Sequence, residues 1–435
     1  MIHKTWSNST VRAYERNVDE FIFDMEEKNI EPIIENVTYE YTLKWVKRMV
    51  EEGYKAKTIN QKISTLSSLL THYNNLGVIN KNPFAALDKV EDYDEEHHSR
   101  ALSLEELYLV YKASYELQSR GVNVLIPISI EIFTALRSTS LKKLTVKSVS
   151  IEKNGLEFKR ESRNGKKKIE ESKKGDKGNR KNKSFFLPLP PKSMSLLVKH
   201  IEGLDSDDPL LYGLKGKALE NKQMNYITNK ICEHLKWMEK KVSTNKDTDE
   251  LVKKEQFFTP HAFRYTLASL LDEMEVERDT IKFLLLHSNK NFDSLDPYIL
   301  RFNKHTNNIK AAQILLETVL ETALELDMNY SIKLNFKDVT NHLKLAYQYQ
   351  LYNEHYYVQL KEQIISSALA DIFNNFRSPV PGQVPQHTNL MANNFGHQML
   401  PTQQSIQQMP INSIPAEKTL DQFMSLMNNF NQRGM

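Results

Sequence analysis

The stretch that decides the fold runs from Phe257 to Ile299 and reads FFTPHAFRYTLASLLDEMEVERDTIKFLLLHSNKNFDSLDPYI. Thr259 and Pro260 predict the start of a helix, because threonine is a good N-cap and proline loses no hydrogen bond in the first turn. His261 and Arg264 are three residues apart, so they project from one side of that helix. The buried side is predicted from the remaining apolar positions, Phe263, Leu267, Leu270 and Leu271.

A second helix is predicted in the same stretch, from Asp279 to His287, with Ile281, Leu284 and Leu285 facing inward. Tyr298 comes eleven residues after His287, behind Asp296-Pro297, a dipeptide typical of turns. Two histidines, an arginine and a tyrosine therefore follow one another on or just after two consecutive helices.

This order resembles the catalytic half of the tyrosine recombinases, the phage-integrase family of site-specific DNA recombinases. In that family a His-x-x-Arg helix precedes a Leu-Leu-Gly-His helix end and then the nucleophilic tyrosine. The corresponding residues here are His261 and Arg264, then His287, then Tyr298. The chain departs from the pattern at Tyr265, where a second histidine is common, at Leu286, which replaces glycine, and in a slightly longer gap before the tyrosine.

A second motif lies earlier, in the largely apolar run from Val124 to Leu144, which is predicted to be a buried helix. Its segment Thr134-Ala-Leu-Arg-Ser-Thr-Ser-Leu141 resembles the Thr-Gly-Leu-Arg-x-x-Glu-Leu box that supplies the first catalytic arginine, here Arg137. A buried cation needs a partner, and Ser140 stands where the box has glutamate. Taken alone, Arg137 could equally be a structural arginine bound to carbonyls or a carboxylate.

The segment from Lys159 to Lys183 is strongly basic, with twelve Lys and Arg residues against four acidic residues, although the whole chain has a net charge of only +3. Such a segment is typical of phosphate contact, and a solvated loop is the alternative. Within it, Asp176-Lys-Gly-Asn-Arg-Lys181 resembles the family's Gly-Lys-Gly-Asn-Lys hairpin, which points to Lys177 as the catalytic lysine. The remaining candidates are Lys174, Lys181 and Lys183.

Composition limits the class of protein. The 435 residues can form two or three domains, and neither a membrane span nor a secretory signal is predicted. The one cysteine, Cys232, rules out a disulfide framework and a cysteine-rich zinc site, and a cytoplasmic, bacterial location is expected. Carboxylates in a metal-binding pattern are not visible, so we expect a reaction without metal, ATP or other cofactor.

The predicted fold is mainly α with a small antiparallel β-sheet, an α+β class, in which an all-helical domain precedes a mixed catalytic domain. Short strands are predicted on both sides of the basic segment, and the region from Glu202 to Lys254 is predicted to be helical. The N-terminal segment Lys57-Thr-Ile-Asn-Gln-Lys-Ile-Ser-Thr-Leu resembles the family's core-binding domain. The predicted divisions are a core-binding domain at 1–90, an acidic linker at 91–101, a catalytic domain at 102–305, a helical extension at 306–376, a disordered Pro/Gln/Asn-rich linker at 377–416 and a terminal amphipathic helix at 417–435.

The resemblance implies strand cleavage through a 3′-phosphotyrosine, with Arg137, Lys177, His261, Arg264, His287 and Tyr298 as the catalytic residues. It also implies double-stranded DNA sites as the partner and a tetramer on DNA, serving a mobile element. The terminal helix could contact a neighbouring subunit. Two alternatives remain: an inactive DNA-binding accessory protein on the same scaffold, and a type IB topoisomerase or telomere resolvase.

Overall fold

The structure is a computed structural model that describes residues 8–91, 100–159, 184–220, 222–243, 251–285 and 301–376. It divides into two compact units, of which the described parts are residues 8–91 in the first and residues 100–159 and 184–376, with the gaps given above, in the second. The predicted domain boundaries stay predictions. Within the described ranges, no helix is long and apolar enough to cross a membrane.

The N-terminal unit is built from three amphipathic helices, as their apolar spacing predicts: α1 (Asn8–Glu27), α2 (Tyr39–Glu51) and α3 (Ala56–Asn75). Its core is an aromatic cluster in which Phe21 makes edge-to-face contacts with Trp45 and Phe84 at centroid distances of 4.9 and 5.4 Å. Such contacts add to the burial of apolar surface. Lys62 is buried in this unit and forms an ion pair of 2.5 Å with Glu20.

The second unit is mainly helical and shares one hydrophobic core. Its helices are α4 (Leu104–Ser119), α5 (Leu125–Thr134), α6 (Ser138–Leu141), α7 (Pro191–Ile201), α8 (Gln223–Leu235), α9 (Pro260–Glu273), α10 (Arg278–Leu284), α11 (Arg301–Tyr330), α12 (Phe336–Tyr352) and α13 (Tyr356–Phe376). Helix α4 begins with a capping box, in which the side chains of Ser103 and Glu106 each accept a hydrogen bond from the other residue's backbone N–H group. Thr259 is the N-cap of α9, as predicted, although its side chain makes no capping bond.

A three-stranded antiparallel sheet contains β1 (Val149–Ser150), β2 (Gly155–Lys159) and β3 (Ser184–Pro188), in that order. The turn between β1 and β2 contains Asn154 at a φ of 54°, in the left-handed region. Gly155 pairs with Pro188, and a Cβ at this glycine would lie only 2.3 Å from the Leu187 carbonyl oxygen. The sheet therefore holds the two ends of the basic segment side by side, while residues 160–183 themselves lie outside the described residues.

The helical prediction for Glu202 to Lys254 is right only for α8 (Gln223–Leu235), because residues 203–220 form turns and isolated bridges. After α8, the chain forms a two-stranded hairpin of β4 (Met238–Ser243) and β5 (Leu251–Gln256). Helix α8 ends at Leu235, and its C-cap residue Lys236 has a left-handed φ of 61°. The strand sequences MEKKVS and LVKKEQ place their charged residues consecutively, so they lack the apolar alternation that predicts a strand.

The last three helices, α11 to α13, belong to the same compact unit as the rest of this domain. Helix α11 carries fully buried residues along its length, including Ile309, Leu315, Val319 and Leu320. Its Glu317 carboxylate accepts hydrogen bonds from the backbone N–H groups of Lys192 and Ser193 and so caps α7. The predicted helical extension thus contributes to the domain core.

Candidate active site

Three of the six predicted site residues lie in the described part of the chain. Arg137 is the N-cap residue of the short helix α6, while His261 and Arg264 lie in the first turns of α9. The other three, Lys177, His287 and Tyr298, lie outside the described residues.

Arg264 is the structural centre of this site. Its side chain is 7% exposed, its Nη1 donates to the Ala135 carbonyl at 2.8 Å, and its Nη2 donates to the Leu285 carbonyl. Ala135 precedes Arg137 by two residues, and Leu285 precedes His287 by two. One guanidinium therefore fixes both of the chain segments that lead into the other predicted site residues.

The turn after α5 ends the helix before Arg137 and leaves this arginine exposed. Ala135 has a φ of 50°, in the left-handed region, and its N–H donates to the Glu131 carbonyl at 2.9 Å. This conformation favours glycine, the residue that the family box has at this position. The predicted continuous buried helix from Val124 to Leu144 is therefore wrong, because the helix stops at Thr134 and Arg137 is exposed to solvent.

The electrostatics of the site are dominated by its two arginines. Burial, together with the positive charge of Arg137, lowers the pKa of Arg264 to about 10, so the guanidinium stays protonated at neutral pH. In the described part of the chain, neither arginine forms an ion pair with a carboxylate. Two neighbouring cations that the described side chains do not neutralise favour an anion, and a planar guanidinium fits a phosphate well.

His261 has a different environment, although it is only one turn from Arg264. Its side chain is exposed, and its ring lies 4.9 Å from the ring of Tyr265, which is also exposed. Tyr265 occupies the position where the family often has a second histidine, and here it serves as the ring that flanks His261. An exposed imidazole is a group that a substrate can reach for proton transfer.

Sequence patterns did not indicate the groups that support Arg264. The carbonyls of Ala135 and Leu285 are backbone atoms, so no sequence pattern predicts that they accept hydrogen bonds from Arg264. Gln313 on α11 is likewise buried, and its Nε2 donates to the Phe133 carbonyl at 2.6 Å, which ties α11 to the end of α5. A buried glutamine in an apolar helix is the one feature that could have pointed to this contact.

In the described ranges, no cluster of three or more His, Cys, Asp or Glu side chains is arranged to bind a metal ion. The chemistry that the described side chains can supply is therefore anion binding by Arg137 and Arg264 and proton transfer by His261.

Comparison with known proteins gives one family match. Residues 1–72 match the protein-family model described as "Phage integrase, N-terminal SAM-like domain". A comparison with curated proteins gives no match.

Several solved structures are similar to the chain at low sequence identity. The Tn1549 transposon integrase in complex with a circular intermediate DNA is 18% identical, covers 68% of this chain and 94% of its own, and has a TM-score of 0.48. A lambda integrase dimer bound to a COC′ core site is 14% identical over 66% of this chain and 91% of its own, with a TM-score of 0.46. A lambda integrase tetramer bound to a Holliday junction is 15% identical over 67% of this chain and 75% of its own, with a TM-score of 0.45.

The family-model match lies in the helical N-terminal unit, and the ordered motif residues lie in the unit that follows it in sequence. The two observations therefore agree and concern different parts of the chain. Residues 1–72 are therefore similar to the N-terminal domain of phage integrases, and the ordered motif residues of the second unit resemble those of the tyrosine recombinases.

Proposed function

We propose that this protein is a site-specific DNA recombinase that cleaves and rejoins DNA through a 3′-phosphotyrosine intermediate. The match of residues 1–72 to the phage-integrase N-terminal domain supports the general function. The observation that carries the mechanism is the arginine pair, since Arg137 lies close enough to lower the pKa of Arg264 and neither arginine pairs with a described carboxylate. A scissile phosphate between them would supply the negative charge that this site lacks.

In the proposed cleavage step, the Tyr298 hydroxyl oxygen attacks the phosphorus and the bond to the 5′ oxygen breaks. His261 accepts the proton of the tyrosine, and Lys177 gives a proton to the departing 5′ oxygen. Arg137 and Arg264 bind the non-bridging oxygens, where negative charge grows in the transition state.

The role proposed for His287 is a hydrogen bond to the same phosphate. Leu285, two residues earlier, is held by Arg264, so the chain enters this segment from a fixed point. Because the phosphotyrosine bond replaces the phosphodiester bond that was broken, the free 5′ hydroxyl can rejoin by reversal of the step without ATP.

The proposed partner is double-stranded DNA carrying a recombination site. The lambda integrase structures contain a dimer on a core site and a tetramer on a Holliday junction. We propose a tetramer on two DNA sites for this chain as well, in the service of a mobile element. The cytoplasmic, bacterial location stays a prediction.

A nicked suicide substrate tests this function. The full chain would be incubated, without metal or ATP, with nicked DNA from the ends of its own genetic element, and the products separated under denaturing conditions. We expect a covalent protein–DNA adduct with the native chain and none with Tyr298→Phe. Tyr352→Phe is the matched control, because Tyr352 is 84% exposed on α12 and has no proposed role.

If the native chain binds this DNA and forms no adduct, the recombinase proposal is wrong and the inactive accessory protein becomes the better account. Relaxation of supercoils or hairpin ends, without exchange between two sites, would instead indicate the topoisomerase or telomere-resolvase alternative.

A further inference from the structure

Gln313 on α11 is a buried amide that the proposed chemistry does not use. Its side chain is 1% exposed, and its Nε2 donates to the Phe133 carbonyl at 2.6 Å. Phe133 lies in the last turn of α5, where the carbonyl groups of a helix have no donor within the helix itself. The amide of Gln313 therefore caps the end of α5 from another helix.

A glutamine at this position has a cost. Its neighbours along α11 are buried apolar residues, among them Ile309, Ala312 and Leu316. The Gln313 Oε1 has no hydrogen-bond partner among the described residues, and a buried unpaired oxygen offsets much of the stability that the bond to Phe133 contributes. A methionine would fill a similar volume without that unpaired oxygen. Stability alone therefore does not account for a glutamine here.

The carbonyl that Gln313 holds is close in the chain to both arginines of the candidate site. Phe133 precedes Ala135 by two residues, and the Ala135 carbonyl accepts from the Arg264 Nη1 at 2.8 Å. Arg137 follows Ala135 by another two residues. This short segment is thus bound at its start by α11 and at its centre by α9, and it ends at Arg137.

We propose that Gln313 is a positioning residue for the pair formed by Arg137 and Arg264. This inference rests on the proposed function. Without the bond from Gln313, the end of α5 can shift and carry with it the carbonyl that Arg264 binds. Guanidinium groups stabilise a transition state when they are fixed where negative charge grows, and a displacement of about one ångström lowers the rate steeply.

Such a shift should slow the reaction more than it weakens DNA binding. A DNA-binding protein draws its affinity from contacts with many phosphates, whereas the charge that grows during cleavage lies on the scissile phosphate. The loss of the Gln313 bond is therefore expected in the rate of attack when DNA is saturating.

The test uses Gln313→Met, which removes the donor and keeps a side chain of similar length. Thr322→Val is the matched control, because Thr322 is 2% exposed on the same helix and the change also replaces a buried polar group with an apolar one. The measurements are the melting temperature, the affinity for nicked DNA, and the single-turnover rate of adduct formation with DNA saturating.

We expect Gln313→Met to melt within about 5 °C of the native chain and to bind nicked DNA with native affinity. Its adduct formation should be slower by about tenfold or more. Thr322→Val should stay within about threefold of the native rate, because it leaves the bond to Phe133 in place.

A neutral substrate separates displaced arginines from a general loosening of the domain. When a methyl group replaces one non-bridging oxygen of the scissile phosphate, the group loses the negative charge that the arginines balance. On this substrate, we expect Gln313→Met to react within about threefold of the native chain, because the placement of the arginines matters less. A general structural defect would slow both substrates equally.

Combination with Arg264→Lys asks the same question on ordinary DNA. If Gln313 acts through the arginine, the double variant is no slower than Arg264→Lys alone, whereas independent effects multiply. A native rate in Gln313→Met, an equal loss on both substrates, or independent effects in the double variant would each overturn the inference and leave the recombinase proposal intact. Unfolding of Gln313→Met, or weaker DNA binding that explains its loss, would do the same. Absence of any adduct with the native chain would overturn both.

Discussion

Two polar clusters of the second unit differ in whether their charges have partners within the chain. Between α4 and α11, the hydroxyl of Tyr111 donates to the Glu321 carboxylate at 2.6 Å, and Lys112 forms an ion pair of 2.6 Å with Asp327. At the start of α9, by contrast, Arg264 donates only to carbonyl groups and lies near a second arginine. The first cluster finds its charge partners within the chain, whereas the second has none among the described residues.

This difference separates a structural role from a functional one. A cluster whose charges are matched inside the chain has no need of a ligand, so its loss should appear in stability. A cluster with unmatched positive charge is complete only when an anion binds, so its loss should appear in activity. Each of the following changes tests that division.

Arg264→Lys should have the largest effect. Lysine keeps the charge, but its single ammonium cannot reproduce the planar guanidinium that donates to Ala135 and Leu285 and still faces a phosphate. We expect the rate of adduct formation to fall by about 10³-fold. Single-turnover cleavage of the suicide substrate measures this loss, and a rate within tenfold of the native value would contradict the central role given to this side chain.

Tyr111→Phe should have the opposite pattern. The change removes one buried hydrogen bond to Glu321, while Tyr115 keeps its own bond to that carboxylate at 3.0 Å. The free energy of unfolding should fall by about 1–2 kcal/mol, and adduct formation should stay within about twofold of native. Urea unfolding and the cleavage assay check the two parts, and a loss of cleavage without a loss of stability would remove the contrast between the clusters.

Glu131→Gln tests a third kind of buried group, a carboxyl that is held neutral. Glu131 lies on α5 and is 2% exposed, and its Oε2 lacks a hydrogen-bond partner. Burial raises its pKa well above the usual range, so the folded protein holds it protonated. The neutral Glu131 carboxyl contributes stability that is fully present below its pKa in the unfolded chain, about 4.3. That contribution is lost as the pH rises towards the raised pKa of Glu131 in the folded protein.

The native melting temperature should therefore decline from weakly acidic to alkaline pH, and Glu131→Gln should decline less. At pH 8 the variant is expected to melt about 2 °C or more above the native chain. Calorimetry between pH 5 and pH 8 measures both curves, and parallel curves would show that Glu131 is not held neutral.

Ala135→Gly should have the smallest effect. Glycine relieves the strain of an alanine at a φ of 50°, although it also adds freedom to the unfolded chain. The net gain in the free energy of unfolding is expected to be below about 1 kcal/mol, with cleavage unchanged because the Ala135 carbonyl still accepts from Arg264. A clear loss of stability would mean that the alanine methyl packs better than the turn suggests.

Much of this fold could be predicted from sequence because its helices are amphipathic. Phe263, Leu267, Leu270 and Leu271 are buried on α9 as their spacing predicts. The end of α5 could not be placed in the same way, since its residues are apolar on every side and only the backbone conformation of Ala135 stops the helix. The hairpin of β4 and β5 could not be predicted either, because its strands, MEKKVS and LVKKEQ, lack the apolar alternation typical of a strand.

Prediction of the site from the sequence has the same limit. The ordered motif identified His261 and Arg264, but it placed Arg137 in a buried helix and gave no sign that Arg264 would be the buried arginine. Burial of that guanidinium depends on two carbonyls that are 129 and 21 residues away along the chain. Contacts between a side chain and a distant backbone atom leave no pattern in sequence, so only the folded chain reveals them.

The most direct test of the central claim is to identify the residue that becomes attached to DNA. The full chain would react with nicked DNA from the ends of its genetic element, and the DNA-linked peptide would be isolated after proteolysis and analysed by mass spectrometry. We predict one peptide, containing Tyr298 joined to a 3′ phosphate. Attachment at another residue or through a 5′ phosphate, or DNA binding with no attached peptide, would contradict the account.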